Sequence, residues 1–319
     1  MLSLPKPSRN TLQEYFQIIS SKITTAVSEC SLNIRGYFTP KRIEEIVLGE
    51  PNDLIECHKH FLNYFFNGMQ TYNRYVEAKN RKKKTPEDDQ VINLYNQIFV
   101  DVTGIFDYNT LISQNKKTSY ALAKVLDRNT CTYCNRQYTL TVSEGDANII
   151  RPQFAHWLAK SVYPILALSF YNLIPSCSIC NSSIKGQVEF SLDEYAHPYL
   201  LENIQNRYTF SYKKKGVSIN NITISTQDSK IDNCIKAFKL EEVYNAHSLH
   251  ELKDLLELRY KYPKNYIKVL INDTFDKLHM TENEAYRMIF GVEYEAEDFH
   301  KRPFSKFKKD IIEELKRAQ

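Results

Sequence analysis

Glycine is scarce in this chain, with eight among 319 residues and no glycine-rich run that could cradle a phosphate. That argues against a P-loop NTPase and against a Rossmann dinucleotide domain, both of which need glycine where backbone must approach phosphate closely. Long apolar runs are missing too. Nothing reaches the roughly 18 consecutive apolar residues of a membrane span, so no membrane segment is expected. The opening residues Met1 to Lys6 lack an apolar signal core, and a cytoplasmic location is the expectation. Charge of one sign is also lacking: 42 Lys and Arg stand against 38 Asp and Glu, for a formal +4. Such a balance permits a nucleic-acid partner without announcing one.

A hydrophobic content of 42% with 25% charged residues places the chain among globular rather than disordered proteins, and its length suffices for a substantial core. The first part reads as helical. Apolar residues recur at helical spacing from Leu12 to Val27, Pro40 opens a good helix start, and Leu54 to Val76 repeats the pattern. That last stretch carries an aromatic stripe of Phe61, Tyr64, Phe65, Phe66, Tyr72 and Tyr75, more simply read as core or interface than as a base-stacking platform. The charged run from Lys82 to Asp89 reads as an exposed loop, with a further helix from about Asp89 to Val102.

From Asn129 the texture changes. Gln137–Val142 is β-branched and aromatic, and residues 144–146 signal a turn; the segment from Ala147 to Phe154 is expected to return as its hairpin partner, with Pro152 at an edge. A short helix is expected from Ser182. A second hairpin is expected from Tyr208–Tyr212 and Ile219–Ser225, turning at Lys213–Gly216, and the rest from Ile231 reads as helical to Ile311–Lys316.

The seven cysteines are unlike a disulfide framework. Cys131/Cys134 and Cys177/Cys180 form two Cys-x-x-Cys pairs, the spacing of a closed structural Zn²⁺ site, whereas Cys30, Cys57 and Cys234 stand alone and read as small buried residues. Between the pairs lie His156 and Asn172, and Asn181 follows the last cysteine directly. His58, His60, His247, His250, His279 and His300 form no second metal-like cluster.

The intervals of His156, Asn172 and Asn181 resemble those of the HNH, or ββα-metal, endonucleases. The run Asn172-Leu173-Ile174-Pro175-Ser176-Cys177, continuing through Cys180 and Asn181 to Lys185 and Gly186, is similar to the zinc-containing branch of that family, as are Lys160-Ser161 and Tyr163-Pro164. The resemblance covers about Cys131 to Tyr199. It implies an α+β, mainly α protein: a zinc-stabilised ββα-metal module at 129–200, between a helical N-terminal region at 1–128 and a hairpin plus helical C-terminal region at 201–319. It further implies hydrolysis of DNA phosphodiester bonds with Mg²⁺ or Mn²⁺, RNA being the alternative polymer. His156 would be the general base, Asn172 would orient its imidazole through the amide oxygen, and Asn181 would ligate the catalytic metal. Lys160, Lys185 and His197 are candidates for phosphate contact. HNH proteins of similar layout occur in bacterial anti-phage systems of the Septu type beside an ATPase, which implies an ATPase partner docking on the helical regions.

One position departs from the family. The residue before the histidine is normally an aspartate that binds the catalytic metal, and here it is Ala155. A methyl group cannot hold a cation, so this sequence is expected to be catalytically impaired. With every other element in place, a substitution made in an active parent is favoured over a naturally inactive relative. The rival from another class is a zinc-stabilised binding module that never cleaves.

Overall fold

Prolines and hydroxyl caps set the starting points of the N-terminal helices. In the computed structural model, which describes residues 1–145, 147–186, 188–214, 220–261 and 281–317, Pro40, Pro51 and Pro86 each stand in the first turn of a helix, where a missing N–H costs nothing. The helices are α1 (Arg9–Glu29), α2 (Leu32–Tyr37), α3 (Pro40–Leu48), α4 (Pro51–Phe66), α5 (Met69–Asn80), α6 (Pro86–Ile105) and α7 (Lys116–Leu126). Buried Tyr15, Ile19, Ile23 and Val27 recur every fourth residue along α1 and give it one inward stripe.

The continuous pattern from Leu54 to Val76 is broken in the structure. Asn67 and Gly68 both take positive φ, 53° and 106°, and the Gly68 N–H donates to the Leu62 carbonyl, ending α4 before α5 begins. The apolar period runs through this break because both helices turn the same kind of face inward. The aromatic stripe is core: Phe61, Phe65, Phe66, Tyr72 and Tyr75 are buried, and of its members Tyr64 stands out at 53% exposure. The charged run is only partly a loop. Helix α6 already starts at Pro86 under a Thr85–Asp88 capping box, and Asp88 is buried, paired with Arg74 at 2.8 Å and Arg81 at 3.0 Å.

Among the described residues the strands form three antiparallel pairs. Val142–Glu144 (β1) pairs with Ala147–Ile150 (β2). The expected hairpin thus forms around its turn but stops at Ile150: Gln153 and Phe154, expected to continue it, belong to Gln153–His156 (β3), which pairs with Leu173–Ser176 (β4) in the register Gln153 to Ser176 through His156 to Leu173. Pro152 separates β2 from β3: it has no N–H to extend the first ladder, so the chain changes partner there. Tyr208–Lys214 (β5) and Asn220–Thr226 (β6) form the second expected hairpin. Lys215, Gly216, Ile219 and His279, named in the sequence reading, lie outside the described residues. Helices Ser229–Ala237, Leu240–Asn245, Lys253–Lys261, Glu282–Phe290 and Ser305–Arg317 make the C-terminal region mainly helical. Among the described residues no helix is long and apolar enough to cross a membrane.

Polar tethers fasten the centre to both flanks. Tyr15 Oη donates to the Leu168 carbonyl (2.8 Å), Tyr72 Oη to that of Val162 (2.8 Å), and Ser169 Oγ to that of Ile46 (2.6 Å). On the other side Asn135 Nδ2 donates to the carbonyls of Phe299 and Arg302, and Tyr244 Oη to that of Cys134 (2.6 Å).

His58 is 1% exposed among Phe61, Tyr72 and Tyr163, and neither ring nitrogen has a hydrogen-bond partner. Burial alone pulls its pKa down to about 3. The folded imidazole stays neutral while the unfolded one takes up a proton below its ordinary 6.5, so this contribution is intact above that pH and is lost as pH falls toward 3. Measured by urea unfolding, the stability lost between pH 8 and pH 5 should shrink by about 2 kcal/mol in His58→Leu relative to the parent.

Candidate metal centre and active site

The two cysteine pairs, far apart in sequence, meet in space. The sulfurs of Cys131, Cys134, Cys177 and Cys180 all lie within 4.8 Å of one another, and all four residues are buried. A tetrahedral Zn²⁺ with Zn–S bonds of about 2.3 Å asks for sulfurs about 3.8 Å apart, so the set fits a structural zinc ion. Burial and the neighbouring sulfurs push the Cys131 thiol well up from its ordinary range, while hydrogen bonds from the other cysteines hold those of Cys134 and Cys177 down. Each pair is preformed by its backbone. Asn135, with φ 48°, closes the first turn by donating to the Cys131 carbonyl, and the Cys180 N–H points at Cys177 Sγ (3.4 Å) in the second.

The second pair joins β4 to the short helix Ile179–Ile184, so that β3, β4 and this helix follow in order. Its hydrogen bonds are of the wider i to i+5 kind. Asn181 donates from Nδ2 to Gln153 Oε1 at 2.9 Å, clipping the helix to the start of β3. Its own amide oxygen has no partner among the described residues. Strand alternation puts Gln153 and Ala155 on one face of β3 and Phe154 and His156 on the other. Ala155 is therefore on the face that meets Asn181, and it is completely buried.

His156 ends β3 opposite Leu173. Its Nε2 lies 3.0 Å from the Ala167 carbonyl. A carbonyl can only accept, so Nε2 carries the proton and Nδ1 keeps the free lone pair. The ring of Tyr108 stands edge-on to the imidazole at 4.4 Å. Burial, opposed by the Ala167 hydrogen bond and aided by the charges of Lys160 and Lys185, lowers the His156 pKa to about 4. The imidazole is thus neutral at physiological pH, with a defined tautomer and one available acceptor nitrogen.

Asn172 does not orient that imidazole as expected. Its Oδ1 accepts from the Leu158 N–H at 2.7 Å, and its Nδ2 donates to the carbonyls of Leu158 (3.1 Å) and Leu166 (2.9 Å). The side chain is spent on holding the loop between β3 and β4. Through that loop it fixes the Ala167 carbonyl, and the carbonyl orients His156.

Lys160 and Lys185 both come near the histidine, as their effect on its pKa requires. Lys160 is exposed, with Nζ 3.1 Å from Asn109 Oδ1 and 5.3 Å from the centre of the Tyr108 ring. A cavity of about 330 Å³ opens beside it, lined by Tyr108, Asn109, Lys160, Pro164 and Ala167 among others. Lys185 is 5% exposed with its ammonium 5.0 Å over the Phe190 ring, and burial pulls its pKa down to about 8. His197 is no phosphate contact. It is buried against Trp157 at 4.6 Å, its Nδ1 accepts from the Tyr199 N–H, and burial pushes its pKa down to about 3.

A catalytic Mg²⁺ or Mn²⁺ does not fit the residues present. Ala155 offers no ligand atom, Asn181 is neutral, and among the described residues the four cysteines are the one cluster of three or more metal-ligating side chains. Sequence reasoning missed Tyr108, Gln153 and the Ala167 carbonyl. Tyr108 lies just past the C-terminal end of α6, and nothing in its local sequence points at a histidine 48 positions away.

The chain matches no protein-family model, no curated protein and no solved structure.

Purified protein should hold one zinc per chain by elemental analysis, and Cys180→Ser should lose it and lower the melting temperature by roughly 10 °C or more. Asn172→Ala should cost about 2–4 kcal/mol in urea unfolding, because it strands a buried N–H and two carbonyls at once.

Proposed function

We propose that this chain is built as an HNH-type nuclease, hydrolysing phosphodiester bonds of DNA, and that Ala155 impairs it. One observation carries the reading: β3, β4 and the following helix bring His156, with a free Nδ1, into one small unit with Asn181 and two lysines, closed by a four-cysteine cluster. Nδ1 is the atom that would take a proton from an attacking water, and a neutral imidazole at pH 7 is in the state a base requires. Lys160 and Lys185 supply positive charge for a phosphate backbone.

The wider context proposed is bacterial anti-phage defence in the cytoplasm, beside an ATPase partner. What supports a partner is a set of exposed apolar side chains on the N-terminal helices, with Leu32 79%, Leu94 67% and Val100 49% exposed. The competing reading, a zinc-stabilised module that binds without cleaving, is favoured by Ala155 itself.

Restoring a carboxylate separates the two. Ala155→Asp should cleave plasmid DNA with Mg²⁺ or Mn²⁺ at least about 100-fold faster than the parent, and Ala155→Asp with His156→Ala should lose about 100-fold again. Cleavage of RNA alone would move the substrate to RNA. No cleavage of either polymer by the zinc-loaded, folded variant, with and without its ATPase partner, would remove the nuclease reading.

A further inference from the structure

A cavity of about 550 Å³ is remote in composition from the His156 site: none of that site's residues lines it. Its walls come from the N-terminal segment Leu2–Lys6, the end of α7, the segment 199–205 and the segment 296–300. Arg128 is 8% exposed on this wall and has no carboxylate partner among the described residues. Its guanidinium reaches one protein acceptor, the Ser3 carbonyl at 3.3 Å, and Nε is buried with none. Tyr199, 3% exposed, also lines the cavity, and its buried hydroxyl has no partner. His300 completes the group, with Nδ1 held by the Glu297 carbonyl at 2.9 Å and Nε2 unpartnered among the described residues. The three are near enough to sense one another: the Arg128 charge disfavours the His300 imidazolium and favours the Tyr199 phenolate.

A buried guanidinium without an anion is costly to the fold, and a planar fork beside a phenol is a ready receptor for phosphate oxygens. The acidic residues Asp127, Glu202 and Glu297 also line the cavity, exposed at its rim, as does Lys6, whose charge is paired with Glu50 at 3.1 Å. A positive floor beneath a negative rim suits one anionic group inside and hydroxyls outside, and it opposes a polyphosphate. Carboxylates are good acceptors for ribose hydroxyls. Leu2, Leu4 and Leu126 add an apolar wall, and the volume is in the range of small-molecule sites.

We propose that this cavity binds a nucleoside 5′-monophosphate, with its phosphate on Arg128 and Tyr199, its ribose hydroxyls on Glu202 and Glu297, and its base against Leu2, Leu4 and Leu126. The site stands independently of the nuclease reading. It also touches the zinc centre's frame, since Thr139 Oγ1 donates to the Arg128 carbonyl and Thr130 Oγ1 to that of His300. An occupant would therefore brace the segment entering Cys131.

Titration calorimetry on the full, zinc-loaded chain would use AMP, GMP, CMP and UMP, with inorganic phosphate, adenosine and ATP as comparison probes. At least one monophosphate should bind saturably, about tenfold or more tighter than phosphate or adenosine. Arg128→Lys should weaken it about tenfold or more, and Tyr199→Phe, which removes a single unpartnered hydroxyl, several-fold. Both variants should keep the parent's zinc content and circular dichroism; should Arg128→Lys fail to fold, Tyr199→Phe and Glu202→Gln carry the test. The proposal is overturned by absence of saturable binding to all four monophosphates, by equal affinity in the folded variants, or by ATP binding more tightly than the monophosphates.

Discussion

Everything in the centre of this protein depends on four sulfurs meeting in one place. Bringing Cys131 and Cys177 together closes a loop of roughly 45 residues, at an entropic cost of about 3 kcal/mol. Structural zinc sites supply on the order of 10 kcal/mol at neutral pH, so the metal easily wins. What it closes is more than a loop. Inside that loop β3 and β4 run antiparallel, and the helix that starts at the second cysteine pair folds back over β3, where Asn181 reaches Gln153. The geometry around His156 is in this sense a consequence of sulfur chemistry some distance from it.

The four-cysteine cluster fixes the ends, and the N-terminal helices fix the middle. Three hydroxyl-to-carbonyl bonds join residues 162–169 to α1, α3 and α5, two of them from tyrosines whose rings belong to the helical core. Asn172 holds the same loop from inside through three bonds of its own. Among the described residues, the loop's hydrogen bond to the imidazole comes from the Ala167 carbonyl. Several kilocalories of hydrogen bonding thus converge on one backbone oxygen, whose position decides which nitrogen of His156 is left free. This also gives the aromatic N-terminal region a role beyond bulk: it is the mould for the site's loop.

Those relations mark the boundary of what the sequence disclosed. Cysteine spacing carried the zinc cluster because two turns and a fixed metal geometry leave few alternatives. Pro40 carried a helix start because capping is local chemistry, whereas the start at Thr85 and Pro86 was hidden inside a charged run read as a loop. Strand pairing was different. The segment 147–154 has enough β-branched character to pair with its neighbour, and only Pro152 warned that the ladder would break; the partner of its last residues, Leu173–Ser176, lies about twenty residues on, beyond the reach of local pattern. The Asn67–Gly68 break was legible as turn chemistry but was masked by an apolar period shared by two helices. Asn172 was correctly located and wrongly employed. Its interval matched an orienting role, whereas its partners are set by a loop conformation that no interval encodes.

Charge explains why one methyl group matters so much to the proposed chemistry. His156 is neutral at physiological pH, and Lys160 and Lys185 both act on it as positive charges. Near this imidazole, the side chains of β3 and the following helix therefore offer positive or neutral groups and no carboxylate: Ala155 is apolar, and Gln153 and Asn181 are amides that already bond each other. A divalent cation placed here would meet two ammonium groups and leave most of its water shell for one neutral amide oxygen. In a partly buried site that repulsion is weakly screened, so the loss exceeds that of a single ligand. A carboxylate at 155 would reverse both terms, adding a charged ligand on the Asn181 side of β3 and offsetting one lysine. The same positive balance would still draw a phosphate backbone toward the chain. Under this reading Ala155 separates binding from hydrolysis: it removes the cation's hold on the site while leaving intact the attraction for the polymer.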